Sequence, residues 1–191
     1  MVASRKTVDG QTTLKVVTNH PIRVYPGCYF YIFFDSPLSK CNYLHGFPIM
    51  LLWSDPDEFR DGRTRNLTFL FSRDGHHVDS LPYAEEGCVL RLEGPYGRDP
   101  RLQAYENVVL AAKGIGITGV LPFALHFAVR RAWDDSVRDA EHREVDSNDP
   151  TFRDITRTVA LFWWLDDENQ ENWVKDQLRA LESMQDTEAV S

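Results

Sequence analysis

Residues 105–131 read YENVVLAAKGIGITGVLPFALHFAVRR, and their order decides how the rest of the chain is read. The apolar run Val108-Val109-Leu110-Ala111-Ala112 has the length and branched residues of a strand buried on both faces, as in a parallel sheet. Lys113 ends it. Gly114-Ile115-Gly116-Ile117-Thr118-Gly119 follows, after which Val120, Leu121, Phe123, Ala124, Phe127 and Ala128 recur at helical spacing. Strand, glycine turn, helix is the order a dinucleotide site requires, because a helix opening there aims unpaired N–H groups and its positive dipole end at the turn. The glycines let a phosphate approach the backbone. Pro122 is expected in the first turn of that helix, where a missing N–H costs little.

The chain has 191 residues, enough for one domain or two small ones, and a formal net charge of -8. An acidic balance without a basic run argues against a nucleic-acid backbone or an anionic membrane surface as the main partner. The opening MVASRKTVDGQTT lacks the apolar core of a signal peptide, and no apolar run approaches the roughly 18 residues that span a bilayer, so the chain is expected to be soluble. Cys28, Cys41 and Cys88 are too few and too scattered for a disulfide framework or a paired zinc motif.

Residues 1–10 are polar and expected to fray, and residues 13–17 alternate weakly as a strand. After the Pro26-Gly27 turn, residues 28–34 (CYFYIFF) form the richest aromatic and branched run, which favours a strand. Further strands are expected at 47–53, 66–71 and 88–93, separated by turn signals at Asp35-Ser36-Pro37, Asp55-Pro56 and Asp74-Gly75. Short strands with hardly a helical segment predict a small antiparallel barrel. Beyond residue 106 the pattern becomes βαβα: residues 134–154 read as a polar surface loop, 158–165 (TVALFWWL) as a second buried strand, and 172–184 as a helix.

Taken together, Pro26-Gly27-Cys28-Tyr29-Phe30, the block from Phe47-Pro48-Ile49 to Trp53 and Asp55, Phe69-Leu70-Phe71 leading to Gly75, Gly94-Pro95-Tyr96-Gly97, the glycine turn, and Trp163-Trp164-Leu165 to Trp173 carry a resemblance. The chain resembles the cytosolic flavin- and nicotinamide-binding half of fungal ferric reductases and NADPH oxidases, within the ferredoxin-reductase-like group. The resemblance implies a Greek-key barrel holding FAD over residues 11–98, and an incomplete parallel-sheet domain holding NAD(P)H over 99–191. Phe47, Pro48 and Ile49 stand where the family has His-Pro-Phe and then a small hydroxyl residue; a register using His45 spoils the downstream match. By the same resemblance Gly75 lies on the flavin side, Gly94, Tyr96 and Gly97 border the nicotinamide, and Gly114, Ile115, Gly116, Thr118 and Gly119 cradle its diphosphate, Thr118 with a hydroxyl. Electrons would pass from NAD(P)H through FAD toward haem in a membrane domain of the full-length protein, at its cytosolic face. Such relatives carry membrane helices upstream and further strands downstream, so a truncated piece is expected.

Asp166, Asp167 and Glu168 follow the second parallel strand, where an acid meets ribose hydroxyls or where a loop is simply solvated; the first reading makes Asp166 a cofactor residue and favours NADH. Asp134 lies about twenty residues past the glycines but at the end of the helical pattern, and is read as surface. His76 and His77 point apart in a turn, Cys88 is packing, and no metal site is expected. No catalytic acid or base is assigned, because hydride transfer needs two stacked rings. The rival reading is a non-catalytic nucleotide-binding or interaction fragment; a soluble reductase feeding a carrier protein is a third.

Overall fold

The structure is a computed structural model. It describes residues 2–8, 11–34, 46–54, 63–72, 90–142, 151–152 and 154–186. Gly75, His76, His77, Cys41, Cys88, His45 and the turns expected after residues 34, 54 and 72 lie outside the described residues.

Six strands, β1 (Val2–Val8), β2 (Gln11–Arg23), β3 (Tyr29–Phe34), β4 (Phe47–Ser54), β5 (Arg63–Ser72) and β6 (Leu90–Tyr96), form one antiparallel sheet. Its order is β1-β2-β5-β4-β3-β6, and β2 to β6 curl into a nearly closed barrel. β3, β4 and β5 are consecutive neighbours and β6 returns beside β3, which is the Greek-key arrangement. β1 corrects the expectation of a frayed start: it pairs with β2 from Val2 against Val17 to Val8 against Gln11. Asp9-Gly10 is the hairpin signal in the sequence for that pairing.

Alternation in the strands fills the barrel. Leu14, Val16, Cys28, Phe30, Ile32, Leu51, Leu67 and Phe69 are buried together, with the Phe30 and Phe69 rings edge-to-face at 5.8 Å. Leu52 and Leu70, each one residue away from an inward neighbour, point out of the barrel and are also buried, because a second layer covers them. β4 and β5 thus carry consecutive apolar residues at Leu51–Leu52 and Phe69–Leu70, where both of their faces are covered.

That second layer holds β7 (Asn107–Lys113) and β8 (Thr158–Trp164), paired in parallel from Asn107–Thr158 to Lys113–Trp164, with α1 (Ile117–His142) and α2 (Lys175–Asp186). Ile117, Leu121 and Leu125 of α1, with Val174 just before α2, join Leu52 and Leu70 in one core shared by barrel and layer. Phe123 reinforces the junction: a Cβ built on Gly27, whose φ is 78°, would stand 2.6 Å from the Phe123 ring. Only glycine fits both that backbone and that gap.

Four expectations need correction. β7 is covered on one face only: Val108 and Leu110 pack under α1 with Ala124, while Val109 is 69% exposed, and Phe162 and Trp164 of β8 share its bare side at 62% and 72%. α1 does not end near Asp134 but runs 26 residues, so the expected loop is helical through His142. Asp134 is not on the surface: it is 7% exposed and accepts a 2.8 Å hydrogen bond from the Phe152 N–H, tying the returning chain to the helix. Arg130 adds a two-pronged ion pair with Asp154, and its guanidinium lies 4.0 Å over the Phe152 ring. Pro122 lies inside α1, in its second turn, because a 3-10 turn at Gly114–Gly116 starts the helix earlier than the apolar spacing suggests.

The shared core predicts that barrel and layer unfold together. Leu121→Ala should cost about 2–5 kcal/mol and shift one cooperative denaturant transition, seen alike by tryptophan fluorescence and far-ultraviolet circular dichroism; separate transitions would refute the coupling.

Candidate functional site

The glycine turn joins the C-terminal end of β7 to α1. Gly114, at φ 50°, is buried and locked: its carbonyl accepts from Trp163 Nε1 at 2.9 Å, and a Cβ on it would stand 2.9 Å from Asp166 Oδ2. Thr118 donates its hydroxyl to the Ile115 carbonyl at 2.9 Å and is itself buried, so this side chain closes the turn from inside. Asp166 makes a 3.1 Å ion pair with Lys113, and its N–H donates to Gln170 Oε1 at 3.0 Å.

Beyond this locked half the turn is open. A Cβ on Gly116 would meet no atom within 4 Å, and Ile115 and Gly116 are exposed. The N–H of Ile117, the first of α1, already bonds to the Gly114 and Ile115 carbonyls, so what the open side presents is the exposed backbone at Ile115 and Gly116 and the positive dipole end of a 26-residue helix. Gly119 faces the barrel, where a Cβ on it would stand 3.8 Å from Met50 Cε of β4. The turn is therefore neither packed shut nor turned away from the barrel.

Met50 belongs to the outer face of β4. Register sets it opposite Tyr29, which is opposite Tyr96; one step along, Pro48 is opposite Tyr31, which is opposite Glu93. The intervening Phe30 and Ile32 point into the core, so these two rows lie outside the barrel. An irregularity in the β3–β6 pairing between Tyr29 and Tyr31 re-aims Tyr96 onto this face. There the rings of Tyr29, Tyr31 and Tyr96 meet pairwise at 5.7–5.9 Å. Tyr96 donates its hydroxyl to Glu93 at 2.7 Å, which raises its phenol pKa.

Of the candidate residues on β4, Pro48 is exposed, Phe47 is half-buried and Ile49 packs against the barrel core. Gly94 is wedged near Phe30, and Gly97 lies over the Pro26-Gly27 turn, its carbonyl accepting from Tyr25 Oη at 2.9 Å. Tyr29, Tyr31 and Met50 were not among the candidates. The alternation of tyrosine with core residues in CYFYIFF carries their signal, since outward positions alone hold the hydroxyls.

Two buried titratable groups lie away from this chemistry. Burial pushes the Cys28 thiol up to about 11, so it packs as a neutral side chain. Burial, with Arg130 adding to it, pushes His126 down to about 4. A cavity of about 710 Å³ lies along the later turns of α1, lined by Phe127, Arg131, Arg157 and Leu178 among others, and is separate from the glycine turn. No helix among the described residues is long and apolar enough to cross a membrane.

The chain matches no protein family model and no curated protein in sequence. Its fold matches solved structures. The flavohem-like FAD/NAD-binding domain of nitric oxide dioxygenase from Vibrio cholerae O1 biovar El Tor aligns with TM-score 0.64 at 14% identity, over 96% of this chain and 69% of that one. The CS-b5R domains of human Ncb5or in the NAD+ form give 0.61 at 16%, over 95% and 47%. The ferredoxin-NADP+ reductase from Plasmodium falciparum gives 0.59 at 12%, over 95% and 63%. The chain therefore has the ferredoxin-reductase-like fold, a near-closed antiparallel barrel followed by a parallel sheet with helices. It spans 47% to 69% of the length of these three structures.

The two halves of the turn predict different responses. Gly116→Val should leave the melting temperature within about 2 °C, since the new side chain enters open space, yet abolish nucleotide binding in titration calorimetry. Gly114→Val should cost about 1–3 kcal/mol from its backbone conformation alone. Undiminished binding by the first variant would remove the diphosphate assignment.

Proposed function

We propose that the chain is a flavin-dependent oxidoreductase domain of the ferric reductase and NADPH oxidase type, taking electrons from NAD(P)H through FAD toward haem or metal. The observation that carries this reading is the open Gly116 side of the turn, set beside the outer face of the barrel at Met50. That side offers a diphosphate exposed backbone at Ile115 and Gly116, the positive end of the α1 dipole, and space in which a Cβ on Gly116 would meet no atom within 4 Å, with Lys113, paired to Asp166, nearby. The likeness to solved domains described as binding FAD and NAD supports the same reading through the fold.

In this proposal residues 99–191 hold the nicotinamide nucleotide and residues 11–98 hold FAD. Gly116 and Gly119 take the diphosphate, with Ile115 beside them. Thr118 and Gly114 hold the turn in shape, the former through its hydroxyl and the latter through Trp163. Asp166 sits at the end of β8 where ribose hydroxyls would reach it, and Lys113 keeps its carboxylate in place. Pro48, flanked by Phe47 and Ile49, lies on the flavin side, to which the resemblance also assigns Gly75, and Gly94, Tyr96 and Gly97 form the border toward the nicotinamide. FAD, when bound, supplies the two-electron to one-electron exchange that side chains cannot perform. The protein's part is to bring two rings into contact and exclude water, which needs position more than acid or base. A membrane haem domain of the full-length protein is the proposed onward partner, which puts this domain at the cytosolic face.

A second reading, an interaction or nucleotide-binding module without redox chemistry, has one observation in its favour. The bare face bearing Val109, Phe162 and Trp164 is apolar enough to be a contact surface.

Purified chain supplied with FAD should retain a flavin absorbance band, and NADH should bleach it; colourless protein would favour the second reading. Asp166→Ala should shift the NADH-to-NADPH affinity ratio toward NADPH by roughly five- to tenfold, measured by competitive titration. An unmoved ratio would return Asp166 to the solvated loop.

A further inference from the structure

We propose that Tyr29, Tyr31 and Tyr96 form the platform on which the flavin ring lies, in place of the side chains that the Phe47-Pro48-Ile49 segment does not supply. The inference rests on the flavin reading above and assigns its ring to residues which that reading does not use for it.

Placement is the first support. The row Tyr96–Tyr29–Met50 crosses three adjacent strands on one outer face, and Met50 is the residue that meets the glycine turn through Gly119. A nucleotide anchored by its diphosphate at Gly116 has its nicotinamide delivered along that row. A flavin on the tyrosines would meet it face to face, as hydride transfer requires.

Shape is the second support. Tyr29 and Tyr96 are tilted only 35° from each other at 5.7 Å, whereas Tyr31 meets them edge-on, at 70° to Tyr29 and 77° to Tyr96. Three aromatic rings gathered on one outer face, two of them closer to parallel than to edge-on, give a planar ligand ring several contacts within one patch. From Tyr96 to Met50 the row spans two inter-strand spacings, about 10 Å, so it suits a fused-ring system better than a single small ring. The hydrogen bond from Tyr96 to Glu93 holds that ring in position.

Economy is the third. Phe30, Ile32 and Phe69 already fill the barrel at 0% exposure, so the core does not need the outward tyrosines. Tyr96 is 36% exposed, and α1 reaches this face only at Met50 among the contacts described. By contrast, Ile49 is turned toward the core and Phe47 has no polar side-chain atom, so β4 offers a ring little beyond Pro48 and Met50.

The test is titration of FAD into the full chain, following flavin fluorescence. The wild-type chain should quench bound flavin, as ring contact with tyrosine does. The Tyr29→Leu/Tyr96→Leu pair should bind at least about tenfold more weakly and leave the flavin that still binds brighter. Tyr96→Phe in place of Tyr96→Leu, which returns the ring, should recover most of the loss. Should the double variant fail to fold, Tyr96→Ser at its exposed position makes the same comparison. Unchanged affinity and quenching in the leucine or serine variants would overturn the platform while the flavin reading stands. No uptake by the wild-type chain would overturn both.

Discussion

The structure depends on one apolar junction. Leu52 and Leu70 leave the barrel on the side opposite its own core and are buried by Ile117, Leu121 and Leu125 of α1 and by Val174. Each of these side chains, removed from water, contributes about 1.5–3 kcal/mol. Their combined effect fixes where α1 starts relative to the barrel. That start is the glycine turn, so the position of a prospective anion site is set by hydrophobic packing a turn or two away from it. The Phe123 ring over Gly27 tightens the same junction from the other side of the helix.

This junction also explains which parts of the fold were legible in the sequence. Leu51 and Leu52, and Phe69 and Leu70, are consecutive apolar residues because there β4 and β5 lie between the barrel core and the core shared with α1. The run at 108–112 looks the same in sequence, yet β7 buries only Val108 and Leu110 well. A continuous apolar run thus signals a demand for burial on both faces, not its fulfilment. Strand, turn and helix could be placed from local chemistry, since glycine, period two and period 3.6 are local. The course of α1 through Asp134 could not: Arg130 and Asp134 find their partners, Asp154 and Phe152, on the chain returning after residue 150. An acid in a polar stretch looks solvated until its distant partner is known.

The geometry of the glycine turn was legible to a similar degree. Spacing located the turn, but could not divide it. Gly114 is fixed by Trp163 and by the carboxylate of Asp166, and Thr118 turns its hydroxyl inward, whereas Ile115 and Gly116 face open space. The outer tyrosines escaped the sequence reading because their role depends on register. Tyr96 comes from a strand more than sixty positions after Tyr29 and reaches it only through an irregularity in the pairing.

The bare side of the parallel pair is the counterpart of the shared core. Parallel strands are ordinarily covered on both faces, and a two-stranded sheet alone is marginal. Here one face is covered by α1 and α2, and α1 is itself anchored to the barrel. Cover on that side is thereby tied to a second core. The same tie preorganises the turn: Gly114 is already held in its left-handed conformation, and the Ile117 N–H already bonds back to the Gly114 and Ile115 carbonyls. A ligand arriving at Gly116 would not have to order the backbone that receives it, and less of its binding free energy would be lost to that ordering.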